Sequence, residues 1–289
     1  MYYSIPPHID AEKGATWAIG IAESRDLTNW TKVGKLLPAD ACEAKGLCAP
    51  GAIVLDGKVH LFYQSYGNWV EDAICHAVSE DGVHFTRNPT NPIFRPRGDW
   101  TCGRAIDADV IVYENKLWLY YATRDPQMKR QMLGVAVAPV GSDFSREDWV
   151  QLGNGSILEP SLPWEKDCIE APAVLERNGR LWMFYAGAYN NEPQQIGCAV
   201  SDDGVHWERI SEEPVLPNGA PGTWNESESG HPFVFVDDDG TVYLFFQGNN
   251  DGGKTWYLSK ATVEWEGELP VIRPDLDRRS AETPVAGAL

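Results

Sequence analysis

The sequence predicts an all-β protein, a five-bladed β-propeller whose first blade is incomplete at the N-terminus. The main observation is a hairpin pattern, two short apolar strands around a tight turn, that occurs four times along the chain. Such alternation around a turn like Asn-Gly is typical of a β-hairpin. The copies read CAPGAIVLDGKVHLFYQSYG from Cys48, AIDADVIVYENKLWLYYATR from Ala105, CIEAPAVLERNGRLWMFYAG from Cys168 and GHPFVFVDDDGTVYLFFQGN from Gly230. Strand repeats of this length indicate a propeller, in which each repeat is one blade.

Five weaker pairs of strands set the number of blades. They begin at Ile19, Ile74, Leu133, Ile196 and Thr255. The first pair is preceded by a single hairpin strand, MYYSI at residues 1–5, which aligns with LFYQS, LYYAT, MFYAG and LFFQG of the complete hairpins. We therefore expect the chain to begin in the middle of its first blade, without the innermost strand of that blade.

The repeats run nearly end to end, so we expect one propeller domain over residues 1–274. The polar, unpatterned tail 275–289 is expected to be disordered. The six cysteines form no CxxC pair, which argues against zinc and against a disulfide framework. No leader follows Met1, and no apolar run is long enough to span a membrane. Localisation therefore stays open: cytoplasmic if Met1 is the true start, secreted or periplasmic if it is not.

The charge balance limits the partners. The chain has 24 Lys and Arg against 42 Asp and Glu, a net charge of −18. Nucleic acids and anionic membranes bind basic surfaces, so both are disfavoured, whereas a neutral ligand is compatible. Twelve tryptophans are present; exposed Trp is a common platform for sugar rings, although most propeller Trp pack between blades. The sequence leaves the oligomeric state open.

The starts of the innermost strands carry the candidate functional groups. These strands converge on the axis of a propeller, so Asp107, Glu170 and His231, at what the repeats indicate are equivalent points, are expected to share one pocket. Carboxylates facing an axis are costly unless they are solvated or paired. One interpretation is that they hold a structural ion or water in the tunnel. The other interpretation is that they form a catalytic site.

Aromatic residues and one arginine are expected around this pocket. Trp100, Trp164 and Trp224 precede Asp107, Glu170 and His231 at similar distances and would rim it. Arg104 is a candidate to contact a substrate or to pair with Glu170, and a plain structural ion pair is the alternative. An acid and a carboxylate on either side of a pocket rimmed by Trp is the arrangement that glycoside hydrolysis needs, because one carboxyl group must protonate the leaving oxygen.

Four segments resemble motifs of glycoside hydrolase family 43, in the family's order. GLCAPGAIVLDGKVHLFYQ is similar to the WAPD motif of the second blade and AIDADV to the IDP motif of the third. IEAPAVLERNGRLWMFYAG is similar to the EGP motif of the fourth, and SGHPFVFVDDDGTVYLFF to the GH motif of the fifth. Departures are Cys48 for the motif Trp, Gly51 for its Asp and Ala108 for a Pro. The resemblance implies a five-bladed propeller that hydrolyses arabinofuranosides, xylosides and related plant polysaccharides with inversion.

The resemblance also implies roles for single residues. Glu170 would be the general acid, and Asp107 the carboxylate that orients the acid and helps to keep it protonated. His231 would be the pocket histidine, which in many members helps to hold a metal ion or water on the axis, so an axial Ca²⁺ is a candidate ligand. No cofactor is implied for the chemistry itself.

The general base of the family is an Asp on the innermost strand of the first blade, the strand that this chain is predicted to lack. Asp10 is the nearest carboxylate that could replace it. We therefore expect an inverting glycosidase for oligo- or polysaccharides, with activity impaired if the base is absent. The alternatives are a carbohydrate-binding propeller without catalysis and a protein-interaction scaffold. The sugar, the linkage and endo or exo action are not set by the sequence.

Overall fold

The computed structural model describes residues 1–7 and 16–274, and these residues have the predicted all-β architecture. Within them, strands form five antiparallel sheets, one for each predicted blade. The first sheet has three strands and each of the others has four. Asp10 and the tail 275–289 lie outside the described residues.

The sheets follow one another along the chain. The first contains β1 (Tyr2–Ile5), β2 (Ala18–Glu23) and β3 (Thr31–Leu36), and the second contains β4 (Leu47–Leu55), β5 (Lys58–Ser65), β6 (Ile74–Ser79) and β7 (Thr86–Arg87). The third contains β8 (Ile106–Tyr113), β9 (Lys116–Arg124), β10 (Gln131–Pro139) and β11 (Val150–Gln151). The fourth contains β12 (Ile169–Arg177), β13 (Arg180–Gly187), β14 (Gln195–Ser201) and β15 (Glu208–Arg209). The fifth contains β16 (Glu228–Val236), β17 (Val242–Asn249), β18 (Tyr257–Glu266) and β19 (Leu269–Pro274).

Helical structure is confined to short turns. The 3₁₀ turns described are Ala41–Glu43, Trp69–Glu71 and Arg146–Asp148. In the part of the chain that the structure describes, no helix has the length and apolar character needed to cross a membrane.

Three of the four predicted hairpins close through two residues with positive φ. The φ angles are 49° and 75° at Asp56-Gly57, 47° and 59° at Glu114-Asn115, and 54° and 77° at Asn178-Gly179. Positive φ at both central residues defines a type I′ turn, which matches the twist of the flanking strands. The fourth hairpin differs, because a five-residue connection joins β16 to β17 and the Gly240 N–H donates to the Asp237 carbonyl over 2.9 Å.

The described chain forms two compact units. The first comprises 1–128 and 134–156, the second 129–133 and 157–274. In the first unit both faces of β5 are buried: Leu61 and Tyr63 pack in a cluster with the first sheet, and Phe62 packs in a cluster with the third. In the second unit the fourth and fifth sheets share one cluster. Successive strand side chains point to opposite faces, so each central strand can serve two clusters.

A buried carboxylate ties the start of the second sheet to its end. Glu43 is completely buried and accepts a hydrogen bond from the Tyr63 hydroxyl. The guanidinium of Arg87, on β7, donates to the two Glu43 oxygens over 3.0 and 3.2 Å. The 3₁₀ turn before β4 is thereby fixed to the last strand of its own sheet.

The fourth sheet repeats this arrangement. The Glu165 carboxylate accepts from the Tyr185 hydroxyl over 2.7 Å and from Arg209 over 2.7 and 2.9 Å. The separations along the chain are the same in both sheets, 20 residues from Glu to Tyr and 44 from Glu to Arg. Removing one partner of a buried ion pair leaves an uncompensated charge, so each triad is a strong local constraint.

Candidate active site

A bulge near the start of the innermost strand recurs in four sheets. The strand registers shift between Cys48 and Gly51, Ile106 and Asp109, Glu170 and Ala173, and Gly230 and Phe233. Each bulge contains one residue in the left-handed region, with φ of 49° at Ala49, 52° at Asp107, 49° at Ala171 and 46° at His231. Non-glycine residues rarely adopt this conformation, and such strain is concentrated at functional sites.

The bulges correct one expectation from the sequence. Asp107 and His231 are the residues with positive φ in their bulges. In β12 that residue is Ala171, so Glu170 lies one residue before the equivalent position. The expected equivalence of the three positions is therefore wrong by one residue for Glu170. The equivalent position in each repeat is the bulge residue with positive φ. The sequence comparison instead aligned the first polar side chain of each strand, and this shifted Glu170 by one residue.

In the first unit, the neighbouring sheet holds the backbone of the bulge. The Asp107 N–H donates to Gln64 Oε1 over 2.7 Å, and the Ala49 N–H donates to Ser4 Oγ over 2.9 Å. Asp107 itself is buried. A Cβ at Gly51 would lie 2.3 Å from the Ala108 carbonyl oxygen. The two backbones therefore meet directly at Gly51, where the motif Asp could not fit without a shift.

Arg104 forms a buried ion pair three residues before Asp107. Its Nε and Nη2 atoms donate to Asp72 Oδ2 over 3.3 and 3.2 Å, and the Ala105 N–H donates to the Asp72 carbonyl over 3.0 Å. Burial raises the pKa of Asp72, and the Arg104 charge opposes that rise. Of the readings that the sequence left open, the observed contact is a structural ion pair with Asp72. Substrate contact by Arg104 stays a prediction.

In the second unit, two buried amides hold the Glu170 carboxyl group. Gln194 Nε2 donates to Glu170 Oε1 over 2.8 Å, and Gln131 Nε2 donates to Oε2. Both glutamines are fully buried, and Glu170 is 6% exposed. Gln194 Nε2 also donates to the Ala188 carbonyl over 2.9 Å. The carboxyl group is thus fixed by neutral donors, without an arginine or lysine among these contacts.

His231 lies next to Glu170 and shares Gln194 with it. The Nε2 atom of His231 is 3.7 Å from Glu170 Oε1. Its Nδ1 atom is 2.9 Å from Gln194 Oε1, an acceptor, and 2.9 Å from Gln247 Nε2, a donor. Because one amide can accept at Nδ1 and the other can donate, the site accommodates either neutral tautomer of the imidazole.

A further buried carboxylate beside His231 was not predicted. Glu228 is fully buried at the start of β16, where its oxygens accept from Asn191 N–H over 2.6 Å and from Gln247 Nε2 over 3.0 Å. Burial raises its pKa, His231 opposes the rise, and Glu170 adds to it. The repeats held a signal for it, because Glu228 precedes His231 by three residues as Arg104 precedes Asp107.

Comparison with known proteins identifies the family. The sequence model described as "Glycosyl hydrolases family 43" matches residues 2–267. The chain belongs to glycosyl hydrolase family 43. Its relatives include "Xylosidase/arabinosidase 43A" of Humicola insolens, 30% identical over 177 residues that cover 56% of this chain and 50% of that protein. "Beta-xylosidase" of Xylanibacter ruminicola is 31% identical over 182 residues, 62% of this chain and 48% of that protein. The chain spans about half the length of these relatives.

A solved structure of the family shows the same fold. The crystal structure of a thermostable family-43 glycoside hydrolase superposes with a TM-score of 0.73 at 19% identity, covering 95% of this chain and 94% of that chain. The predicted five-bladed β-propeller is thereby confirmed. The three-stranded first sheet is the incomplete first blade, among the described residues.

The three tryptophans that were expected to rim a family 43 pocket each pack against neighbouring residues of the protein. The half-buried Trp100 indole donates to the Arg97 carbonyl over 3.1 Å and packs on the core. Trp164 donates to the Glu212 carbonyl over 3.0 Å and stacks on Tyr185. Trp224 contacts Phe246 and Tyr257. Contact of these three residues with a sugar stays a prediction.

Proposed function

We propose that this family 43 chain is an inverting glycosidase for arabinofuranosyl or xylosyl linkages, with Glu170 as its general acid. The observation that carries the proposal is the Glu170 carboxyl group, buried and held at both oxygens by neutral amides beside His231. A buried carboxyl group held in one orientation can pass a proton to a leaving oxygen at a defined position, which is what general acid catalysis requires. The names of both curated relatives include xylosidase.

The amide of Gln194 is fixed in its orientation, because Nε2 donates to Ala188 while Oε1 faces His231. A fixed donor at Oε1 holds the Glu170 carboxyl group in one position, and the orientation of a general acid depends on such a contact.

We assign Asp107 the role of the carboxylate that orients the acid and helps to keep it protonated. The support is its position at the left-handed step of β8 and its burial, which fit a side chain held for a purpose other than packing. Like charges disfavour the ionised form of a neighbouring carboxyl group. The Asp107→Asn variant should therefore move the basic limb of the activity profile to lower pH.

An axial calcium ion remains part of the proposal in a limited form. Calcium takes oxygen ligands, so an imidazole such as His231 would hold it only through water. The oxygens of Glu170 accept hydrogen bonds from amides, which also fits an ion that is held through water and not by direct ligation. Bound calcium would supply positive charge near the pocket, and His231 would orient its water.

A carbohydrate-binding propeller without catalysis is the second candidate function. It is favoured by the three strands of the first sheet, because the innermost strand on which the family's base lies has no counterpart among the described residues. An upstream extension that restores robust hydrolysis would exclude this alternative.

The test compares Glu170→Gln with Glu176→Gln, an exposed glutamate on the same strand whose Oε1 accepts from Gly179 N–H. Loss of a general acid should slow hydrolysis of alkyl and oligosaccharide substrates by about 10²–10⁴-fold. Aryl glycosides with strongly acidic leaving groups need little protonation, so they should lose much less. Equal loss on both substrate types, or the same loss in Glu176→Gln, would contradict the role of Glu170.

A further inference from the structure

The side chain of Trp69 is largely exposed to solvent. It is 62% exposed, and it is the one aromatic among the large exposed hydrophobic residues of the part of the chain that the structure describes. It opens the 3₁₀ turn Trp69–Glu71 in the connection between β5 and β6. An exposed indole in a protein of this charge is a candidate contact for a neutral ligand.

The backbone holds this indole in a strained conformation. Trp69 has φ of +62°, in the left-handed region that favours glycine. A bulky residue there costs stability and persists where surrounding contacts enforce it. Two contacts enforce it here: Asn68 N–H donates to Asp72 Oδ1 over 2.8 Å, and Arg95 donates to the Val70 carbonyl over 2.8 Å. The turn is therefore rigid on both sides of Trp69.

This turn belongs to the same end of the first unit as the start of β8. It follows Gln64, whose Oε1 accepts from the Asp107 N–H, and it is followed directly by Asp72, which pairs with Arg104. A residue between these two contacts is fixed relative to the backbone of Asp107.

Arg124, the last residue of β9, lies over the indole. Its guanidinium carbon is 5.6 Å from the centre of the Trp69 ring. A cation over an aromatic face is attracted by the ring quadrupole. The contact orients the ring further, so that a ligand would stack on the face opposite Arg124.

We propose that Trp69 is a stacking platform for a sugar ring of a neutral oligosaccharide, at a position other than the residue that is cleaved. The inference rests on the proposed function. Neutral sugars present C–H faces that stack on an indole, and the net charge of −18 disfavours acidic polysaccharides.

The experiment uses Trp69→Gly, which removes the platform and places glycine at the positive φ. Trp69→Phe keeps an aromatic ring, and Val54→Ala is the control, because Val54 is exposed at the hairpin end of the same sheet. Binding of xylohexaose and arabinohexaose is measured by titration calorimetry, together with aryl xyloside and arabinofuranoside hydrolysis and unfolding temperature. Trp69→Gly should raise the hexasaccharide dissociation constant about tenfold, with aryl glycoside kinetics and unfolding temperature preserved or improved.

Three results overturn the inference: a dissociation constant within twofold of the wild type for both hexasaccharides, a lowered unfolding temperature with unchanged binding, or no hexasaccharide binding by the wild type. Partial recovery by Trp69→Phe supports it. Failure of the proposed function looks different. In that case the wild type binds a hexasaccharide and Trp69→Gly weakens binding, but neither protein hydrolyses any glycoside.

Discussion

The Nε2 atom of His231 lies 3.7 Å from Oε1 of Glu170, and one buried amide, that of Gln194, contacts both side chains. Gln194 donates to the Glu170 carboxyl group while its own oxygen faces the imidazole of His231. The relative position of the two side chains therefore depends on one amide.

Replacing Gln194 should separate the two residues. Gln194→Leu leaves Glu170 Oε1 and the Ala188 carbonyl without their shared donor, and a buried polar group without its partner costs about 1–3 kcal/mol. We expect the unfolding temperature to fall and kcat to drop about 10²-fold, because the acid loses its orientation. The adjacent Gln195→Leu is the control, and an equal fall in kcat there would contradict this reading.

The same amide can be displaced from the opposite side. A Cβ at Gly230 would lie 1.8 Å from Gln194 Oε1, so Gly230→Ala must push the amide away from His231. We expect a fall in kcat with a smaller loss of stability than in Gln194→Leu, since the amide is displaced but still present to hydrogen-bond. Gly155→Ala serves as the comparison, because a Cβ there meets nothing within 4 Å. Wild-type kcat in Gly230→Ala would show that the amide position does not matter.

A buried histidine in the second sheet should limit acid stability. Burial, with help from His60, lowers the pKa of His76 from 6.5 to about 3. The unfolded chain takes up a proton below pH 6.5 while the folded one does not, so the stabilisation is complete above 6.5 and is lost as pH falls toward 3. At pH 5 the loss is about 2 kcal/mol. Denaturant titrations should show this slope, and His76→Gln should flatten it; an identical slope in the variant would refute the assignment.

Chelation tests the calcium part of the proposal. A ligand present at about 100 times its dissociation constant stabilises the folded state by about 2.7 kcal/mol. Removing calcium with a chelator should therefore lower the unfolding temperature, and re-addition should restore it. His231→Ala should reduce the difference, because the imidazole orients the water of the ion. An unfolding temperature that changes with neither chelator nor added calcium would contradict this part of the proposal.

The sequence predicted the hairpins, the sheet count and the incomplete first blade, because alternation and turn chemistry are local. Asn178-Gly179 is a turn wherever it occurs between such strands. The polar contacts around Glu170 were missed for the opposite reason. Gln131 and Gln194 come from the beginning of a strand and from a loop, and a single glutamine carries no motif.

The strand register and the ion pairing near the site could not be predicted from the sequence either. The left-handed bulge moves Glu170 by one position relative to Asp107, and no residue pattern marks where a strand bulges. Asp72 could not be predicted as the partner of Arg104, because 32 residues separate them and only the folded sheets bring them together. Long-range polar pairing of this kind depends on the packed sheets and not on local preference.

The two carboxylate triads, Glu43 with Tyr63 and Arg87, and Glu165 with Tyr185 and Arg209, consist of the same three residue types. They occur in alternate sheets at the same separations of 20 and 44 residues. In the intervening sheet, Tyr121 keeps the aromatic position but Thr101 stands where the glutamate would be. The contact therefore recurs as a whole or is replaced as a whole, because a glutamate without its tyrosine and arginine would be a buried charge without compensation.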